Sequence, residues 1–506
     1  MELILYIISF LISAAPALFL TAPPVEDALG TLGAAAYLAG VDYGEFLVAD
    51  GYYYKYGQAL WYLPVYLCVK DPAIRYKVML VVNSALDAFV PVIAYRISRR
   101  FLLLDKKDAV GVSVLAGLVP SMLLYCKYTW AEPALFLVIW VVAYLILELN
   151  ADPGKSGLRC ALLAWTCVYS FMAHQRGIVI VIAAALLLLI VRAVYGKWMV
   201  SRVIFLGNMV AALVMDRVCD YWLKQVVYRG VAPKHNTLAT FLHPEIYRKI
   251  FSPDGQLVVG RTVLGWLCNY GVSGIGFALL GVVLSVVIVA RIIRKGTHGE
   301  LKGAGCNSLS LLGLWGMLLF SGAFALGIMF FFEGLYGYWD GTMVERCDHL
   351  VFGRYLESSL PLMLFLGLVC LLKENDKTVK KMVIGVGAAM AALIGFFAFG
   401  LAPAMEGVDS YVHSLMSMNY MFDMTGVTLT RDLITNLPMA LMVAGGIAFV
   451  LYVLVCVLMI NRNRMLAYCV MCAVFLFLYL HSFVDVILRI DYYGLTKYAV
   501  YYINSY

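Results

Sequence analysis

Acidic and basic residues are scarce in this sequence, and several stand where a long apolar run begins or ends. Glu26 and Asp27 follow Pro23-Pro24 at the close of the first run. Glu132, preceded by Lys127 and Trp130, opens another, and His174-Gln175-Arg176 separates two more. Glu333, Glu345, Arg346, Asp348, His349 and Arg354 cluster ahead of a run that begins at 356, with Arg354-Tyr355 at its edge. A carboxylate at such a boundary is partly desolvated, which raises its pKa toward the range of a working general base. A guanidinium there offers paired donors to a phosphate. Each residue also has a plainer reading. Asp27 is a good helix N-cap, Glu132 and Arg176 can be ordinary interfacial charges, and the 333–354 cluster can pair within itself. His235, His243 and Glu245 do not have the spacing of a zinc-binding helix. The 12 cysteines form no CxxC pair and read as small buried hydrophobes.

The elements that carry these residues follow from composition. Hydrophobic residues make up 63% of the 506 positions and charged residues 14%, with a mean hydropathy of +0.87. Soluble domains carry about 25% charged residues, so lipid is the natural solvent for this chain. Runs suited to membrane helices fall at 3–21, 77–95, 109–124, 132–149, 159–173, 177–195, 202–216, 262–290, 308–331, 356–372, 382–402, 437–460 and 466–484, about 13 spans. The expected fold class is an all-α polytopic membrane protein. The first run has no basic residue ahead of it and is read as a retained helix rather than a cleaved leader.

Orientation follows from lysine and arginine in the short connections. Arg96, Arg99, Arg100, Lys106 and Lys107 follow span two, and Arg291, Arg294, Lys295 and Lys302 follow span eight. Lys373, Lys377, Lys380 and Lys381 follow span ten, and Arg462 and Arg464 follow span twelve. These four connections alternate correctly, so all can face the cytoplasm together, with the N-terminus. The connections 22–76, 216–261, 332–355 and 403–436 and the tail 485–506 then face outward. The chain divides into an N-terminal transmembrane module 1–215, an external loop 216–261 and a C-terminal transmembrane region 262–506. Short cytoplasmic connections without GxxxxGK[ST] leave no room for an ATP-driven motor. The net charge of +7 has no basic stripe with interleaved aromatics, which argues against nucleic acid.

In the first external loop, Leu29, Leu32, Ala36 and Leu38 form an apolar stripe from Asp27 onward. A helix this short should lie in the interface, with Glu26 and Asp27 at its N-terminus. Asp50-Gly-Tyr-Tyr-Tyr-Lys-Tyr-Gly57 follows, its aromatics suited to the headgroup level or to a sugar or lipid groove. The run in 403–436 that reads Met-Ser-Met-Asn-Tyr-Met is amphipathic and could cover a cavity or pack passively.

These segments, Pro-Pro-Val-Glu-Asp27, Gly30-Thr31-Leu32, Tyr54-Lys-Tyr-Gly57, Leu63-Pro64, Asn83-Ser-Ala-Leu86, Tyr95-Arg-Ile-Ser-Arg-Arg100, Ala131-Glu132-Pro133 and Gly353-Arg354-Tyr355, resemble in order and placement the GT-C superfamily of membrane glycosyltransferases. That group, which includes protein mannosyltransferases and aminoarabinose transferases, uses polyprenyl-phosphate-linked sugars. The likeness is good over roughly the first 200 residues and holds in outline beyond. The two acidic residues stand in reversed order, so Asp27 falls on the family's aspartate and Ala28 on its glutamate. The resemblance implies a GT-C-type fold and transfer of a sugar from a polyprenyl phosphate to a glycan, lipid or protein acceptor at the outer face. It implies Asp27 as base and Glu132 as an acceptor contact. It also implies substrate contacts at Glu26, Tyr54, Tyr56, His174, Arg176, Arg354 and Tyr355. No cofactor is required beyond a divalent cation, which Asp27 and Glu132 would hold if one is used. The rival readings are a transporter or flippase of lipid-linked glycans and a glycan polymerase or ligase. No duplicated half is visible, and Asp87 is the only acidic residue well inside an expected span, which disfavours a carrier. Cysteines without a disulfide pattern fit a bacterial plasma membrane.

Overall fold

The first helix, Glu2–Ala17, shows how the bundle is tied together. Pro16 has no N–H, so the carbonyl of Ile12 loses its intrahelical partner. The hydroxyl of Tyr479 donates to that carbonyl at 3.4 Å, and the ammonium of Lys127 donates to the Ser13 carbonyl one residue on. The first helix is thereby joined to one of the last, Arg464–Ser482, and to the segment just ahead of Glu132.

The computed structural model describes residues 1–152, 157–235, 244–303, 305–342, 347–405, 410–411, 429–430, 433–434, 437–484 and 497–505. The described chain is helical apart from three two-residue antiparallel strands, Ser410–Tyr411, Leu429–Thr430 and Leu433–Ile434, the last in the middle. The Met-Ser-Met-Asn-Tyr-Met run lies outside the described residues.

Among the described residues eight helices are long and apolar enough to cross a membrane, or up to nine if the bent pair Asp348–Glu357 and Leu360–Lys373 counts as one span. This is an integral membrane protein, but the expected count of about 13 is not reached. The differences have local causes. The run 109–124 is interrupted between Lys106–Gly117 and Pro120–Tyr125, where a proline starts the second helix. Helices Glu2–Ala17 and Gly157–Ala173 are apolar but short.

The run 262–290 is two helices, Pro253–Ser273 and Phe277–Thr297, separated by Gly276 at φ +74°. Helix Ser308–Asp340, 33 residues long, returns along both. Its Gly313 meets Ile288, and its Phe324 and Gly327 meet Trp266. The expected loop 332–355 therefore begins nine residues late, after a helix that continues to Asp340.

Ion pairs gather the basic connections at one end of the bundle. Arg96 pairs with Glu2 at 2.6 Å, Arg100 with Glu148 at 2.6 Å, and Arg464 with Asp108 at 2.7 Å. Arg291 pairs with Glu374 at 2.9 Å, and Asn150 donates to the Cys306 carbonyl at 2.9 Å. The N-terminus and all four basic loops thus share one face, the arrangement their spacing calls for. Glu132 starts the 20-residue helix whose other end carries Glu148, so the acidic and basic residues around Glu132 stand at the opposite face.

Candidate active site

The apolar stripe after Pro24 folds as two short helices, Glu26–Gly30 and Gly33–Leu38, with Leu29, Leu32 and Ala36 fully buried in the protein and Leu38 exposed. The stripe is covered by neighbouring segments, so these helices are packed into the protein rather than laid on its surface. Its N-cap is Val25, which makes no side-chain capping bond. Asp27 sits one turn position inside the helix, and its carboxylate turns away from capping toward Arg354. Nη1 of Arg354 donates to Asp27 Oδ2 at 2.7 Å.

Glu132 stands at the first position of helix Glu132–Ala151. Its Oε1 accepts from Arg354 Nε at 2.8 Å and also from Arg176 Nη2. Its other oxygen, Oε2, is buried and has no hydrogen-bond partner among the described residues. Arg176 is presented by a single 3-10 turn, Gln175–Gly177, that His174 caps, its Nδ1 accepting the Arg176 backbone N–H at 3.0 Å. Arg176 Nη1 also donates to the Arg354 carbonyl at 3.2 Å. Both guanidiniums lie on aromatic faces, Arg354 4.0 Å from the Trp130 ring centre and Arg176 5.0 Å from that of Tyr355. Trp130 in turn stacks on Tyr128 with ring centres 4.3 Å apart. Stacking and a shared carboxylate hold two like charges together with their planes fixed, which a flexible ammonium could not do.

Asp27, Glu132, His174, Arg176, Arg354 and Tyr355 are therefore one cluster drawn from four distant stretches of chain. The carboxylates differ in access. The Asp27 side chain is 25% exposed, whereas that of Glu132 is 2% exposed. Asp27 can meet a substrate from the outside, and Glu132 faces the arginines. Burial, and then the Arg176 charge, push the His174 imidazole down to about 3, so it is neutral and serves as an acceptor.

The remaining candidates make other contacts. Glu26 accepts from the Tyr498 hydroxyl at 2.7 Å. Tyr54 packs against Gly30 so closely that an added Cβ there would lie 2.2 Å from its ring, and its hydroxyl donates to Asp50 at 2.9 Å. Burial first, then the nearby Asp27 and Asp50 charges, raise the Tyr54 phenol well above its ordinary pKa. Tyr56 points elsewhere and donates to Asp216 at 3.1 Å. With it goes Lys55, which the sequence passed over. Its ammonium is buried, donates to Asp216 at 2.7 Å, and lies 3.7 Å over the Phe171 ring. Burial lowers the Lys55 pKa, against the pull of Asp216. Trp130, which shelves Arg354, is a further site residue; its signal was its place two positions before Glu132.

His235 packs at a tilt against Tyr52 with ring centres 4.9 Å apart, His243 lies outside the described residues, and Glu245 sits in helix Pro244–Ile250. Asp348 and His349 are buried in the turn before Arg354, while Glu345 and Arg346 lie outside the described residues.

Beside the cluster, a narrow apolar crevice with about 20 Å³ of open space lies between helices Glu132–Ala151, Gln175–Tyr195 and Ser308–Asp340. Leu135, Ile139, Val179, Leu319 and Ala323 line it, with Arg176 and Tyr355 at its polar end. The site can hold an anion on two guanidiniums next to an accessible carboxylate, with an apolar wall beside it.

No family model matches the chain, and no curated protein matches it in sequence. Two solved structures of ArnT from Cupriavidus metallidurans are similar to it. One is bound to undecaprenyl phosphate, with 12% identity and a TM-score of 0.47, and the other is in the apo state, with 13% identity and a TM-score of 0.48. Each match covers 95% of this chain and 76% of the ArnT chain.

Among the described residues no group of three or more His, Cys, Asp or Glu stands together as a metal site. Asp27 and Glu132 do share a cation, but it is the Arg354 guanidinium, which lies between them. That pair does not fit a divalent ion while Arg354 is in place.

Proposed function

We propose that this protein transfers a sugar from a polyprenyl-phosphate donor to an acceptor, with GT-C-type chemistry, at the membrane face opposite its basic loops. The observation that carries this reading is that Arg176, joined through Glu132 to Arg354 and so to Asp27, stands at the polar end of an apolar crevice. A polyprenyl phosphate has the same sequence of parts, an anion followed by a long apolar chain. The motif resemblance supports the same class. The positive-inside pattern supports an N-terminus in the cytoplasm and a site on the outer face, as in a bacterial plasma membrane.

The geometry supports the following roles. Arg176 and Arg354 neutralise the phosphate oxygens as the glycosidic C–O bond breaks and negative charge grows on the departing polyprenyl phosphate. Asp27 accepts the proton of the acceptor hydroxyl or amine, whose lone pair forms the new bond to the anomeric carbon. Because Arg354 also holds Asp27, binding of the phosphate loosens the carboxylate and makes it a stronger base. His174 and Glu132 fix the arginines. Tyr355 shields one guanidinium face and marks the boundary between phosphate and isoprenoid.

The test is release of free polyprenyl phosphate, followed by mass spectrometry. Purified wild type and Asp27→Asn protein would be offered a panel of polyprenyl-phosphate sugars, with a membrane extract as acceptor. Release by wild type and not by the variant is expected. Equal release by both would move the base away from Asp27, and no release by folded wild type from any donor would overturn the reaction class.

A further inference from the structure

The helix Lys497–Asn504, at the far end of the chain from Asp27, packs on the first external loop. Its tyrosines turn inward. The Tyr498 hydroxyl donates to Glu26 Oε2 at 2.7 Å, and the Tyr502 hydroxyl donates to the Pro72 carbonyl at 3.0 Å. Tyr498 and Tyr501 pack on Phe46 of helix Gly44–Asp50, with ring centres 6.1 and 5.6 Å away. Tyr502 is fully buried, its ring centre 6.1 Å from that of Tyr76. Val500 and Ile503 stay exposed. Apolarity alone would not choose tyrosine over valine and isoleucine for the inner face, so the hydroxyl bonds and ring contacts seat this helix. It ties together the helix that carries Asp27, helix Gly44–Asp50 and the start of helix Pro72–Asp87.

The helix that carries Asp27 needs such a tie. Glu26–Gly30 is five residues long and follows Val25, which gives it no side-chain cap. A helix this short does not hold itself. Its later part is held through the backbone, the Thr31 hydroxyl donating to the Asp27 carbonyl at 2.7 Å and the Thr129 hydroxyl to the Ala28 carbonyl. Its first two side chains go to different partners, Glu26 to Tyr498 and Asp27 to Arg354. A phosphate on Arg354 competes for the guanidinium that holds Asp27. The bond from Tyr498 to Glu26 still fixes the first turn at that moment.

We propose that helix Lys497–Asn504 is a strap that positions the base. Tyr498, bonded to Glu26, keeps the first turn of helix Glu26–Gly30 in place while Asp27 takes the acceptor proton. The assignment rests on Asp27 serving as the base in sugar transfer. Tyr498 touches no reacting atom; it is a positioning residue that acts through Glu26, and Glu26 then serves the strap rather than the substrate. A hydrogen bond to a carboxylate is stronger than one between neutral groups, and a misplacement of about 1 Å at a reacting group can cost about 100-fold in rate. One hydroxyl is therefore enough to set the aim of the neighbouring carboxylate.

The experiment combines donor turnover with amide hydrogen exchange on the full chain in nanodiscs. Tyr498→Phe keeps the ring on Phe46 and removes the hydroxyl. It should lower kcat for release of polyprenyl phosphate at least ~5-fold, with donor KM within ~2-fold of wild type. The amides of 27–32 should exchange at least ~5-fold faster. Glu26→Ala should match it, and the double variant should lose no more than the worse single variant. Glu26→Gln, which keeps an acceptor oxygen, should retain more activity than Glu26→Ala. Melting temperatures of the variants control for folding. Losses that add in the double variant overturn the proposal, as does a rise in KM in Glu26→Ala that Tyr498→Phe lacks, which would make Glu26 a substrate contact. Unchanged kcat in Tyr498→Phe beside Asp27-dependent turnover by wild type discards the strap alone. Faster exchange in Tyr498→Phe with no turnover by wild type from any donor discards the reaction and with it the base, leaving only the tie between Tyr498 and Glu26.

Discussion

Arg176 and Arg354, 178 residues apart in the chain, donate to the same carboxylate oxygen of Glu132. One buried anion thus sets the distance between two cations, and Arg354 reaches past it to Asp27. The cluster is charge-balanced as it stands, two arginines against two carboxylates. An incoming phosphate makes it anionic, and Asp27 is the more exposed of the two carboxylates.

Glu132→Gln tests whether Glu132 acts by holding the arginines or by taking part in chemistry. Removing one partner of a buried ion pair costs roughly 3–5 kcal/mol, so the melting temperature should fall. If the residue positions the arginines, KM for the lipid donor should rise about 10-fold or more with a smaller change in kcat, and the acid limb of the pH profile should stay in place. A loss confined to kcat, with the acid limb gone, would make Glu132 the base instead.

Arg354→Lys should be severe although it keeps the charge. Arg354 uses Nε for Glu132 and Nη1 for Asp27 and sits 4.0 Å over the Trp130 ring centre. A single ammonium cannot hold both carboxylates and stack as well. Donor turnover should drop about 100-fold or more, as on loss of one transition-state donor. Turnover within a few-fold of wild type would show that only a charge is needed there.

Much of this cluster was readable in the sequence because charge is expensive at a membrane boundary. Asp27, Glu132, Arg176 and Arg354 drew notice for that reason, and the resemblance placed Asp27 among them. Which of two adjacent carboxylates joins the site was not readable. Glu26 and Asp27 sit 100° apart on a helix, and only the packing of that helix decides that Glu26 meets Tyr498. The direction in which the aromatic stretch turns was hidden for a similar reason. Tyr56 and Lys55 turn toward Asp216 because helix Arg202–Trp222 outlasts its apolar run and carries Asp216 and Asp220 against the loop. The bounds of the runs shifted where proline or glycine broke them, at 118–120 and 274–276, since apolarity alone does not register a break.

His174 should give the fold a pH dependence of known sign. Its imidazole is held at about 3 by burial and by Arg176, against about 6.5 in the unfolded chain. Between those values the unfolded chain binds a proton that the folded chain refuses. Stability therefore falls as pH drops through that window and is unaffected by this group above it. His174→Gln removes the dependence while keeping an acceptor near the Arg176 N–H. Melting in detergent at about pH 7 and about pH 5 should show the wild type losing more than the variant. Parallel losses would mean that His174 is already protonated in the fold.

Gly177→Ala tests whether the arginine turn must be as tight as it is. A Cβ at Gly177 would lie 2.0 Å from the Ser170 carbonyl oxygen and 2.5 Å from the Phe171 nitrogen. Both are backbone atoms of helix Gly157–Ala173, so neither can swing aside as a side chain would. The turn must shift instead, and it carries Arg176 with it, away from Glu132 Oε1 and from the polar end of the crevice. Overpacking of this kind costs typically 1–3 kcal/mol. The expected result is a lower melting temperature together with weaker donor binding, the second exceeding what the first explains. Gly207→Ala is the matched control, because nothing lies within 4 Å of a Cβ there and alanine is the better helix former. That variant should melt at or slightly above wild type with donor binding unchanged. Equal donor binding by both variants would separate the Gln175–Gly177 turn from the anion site.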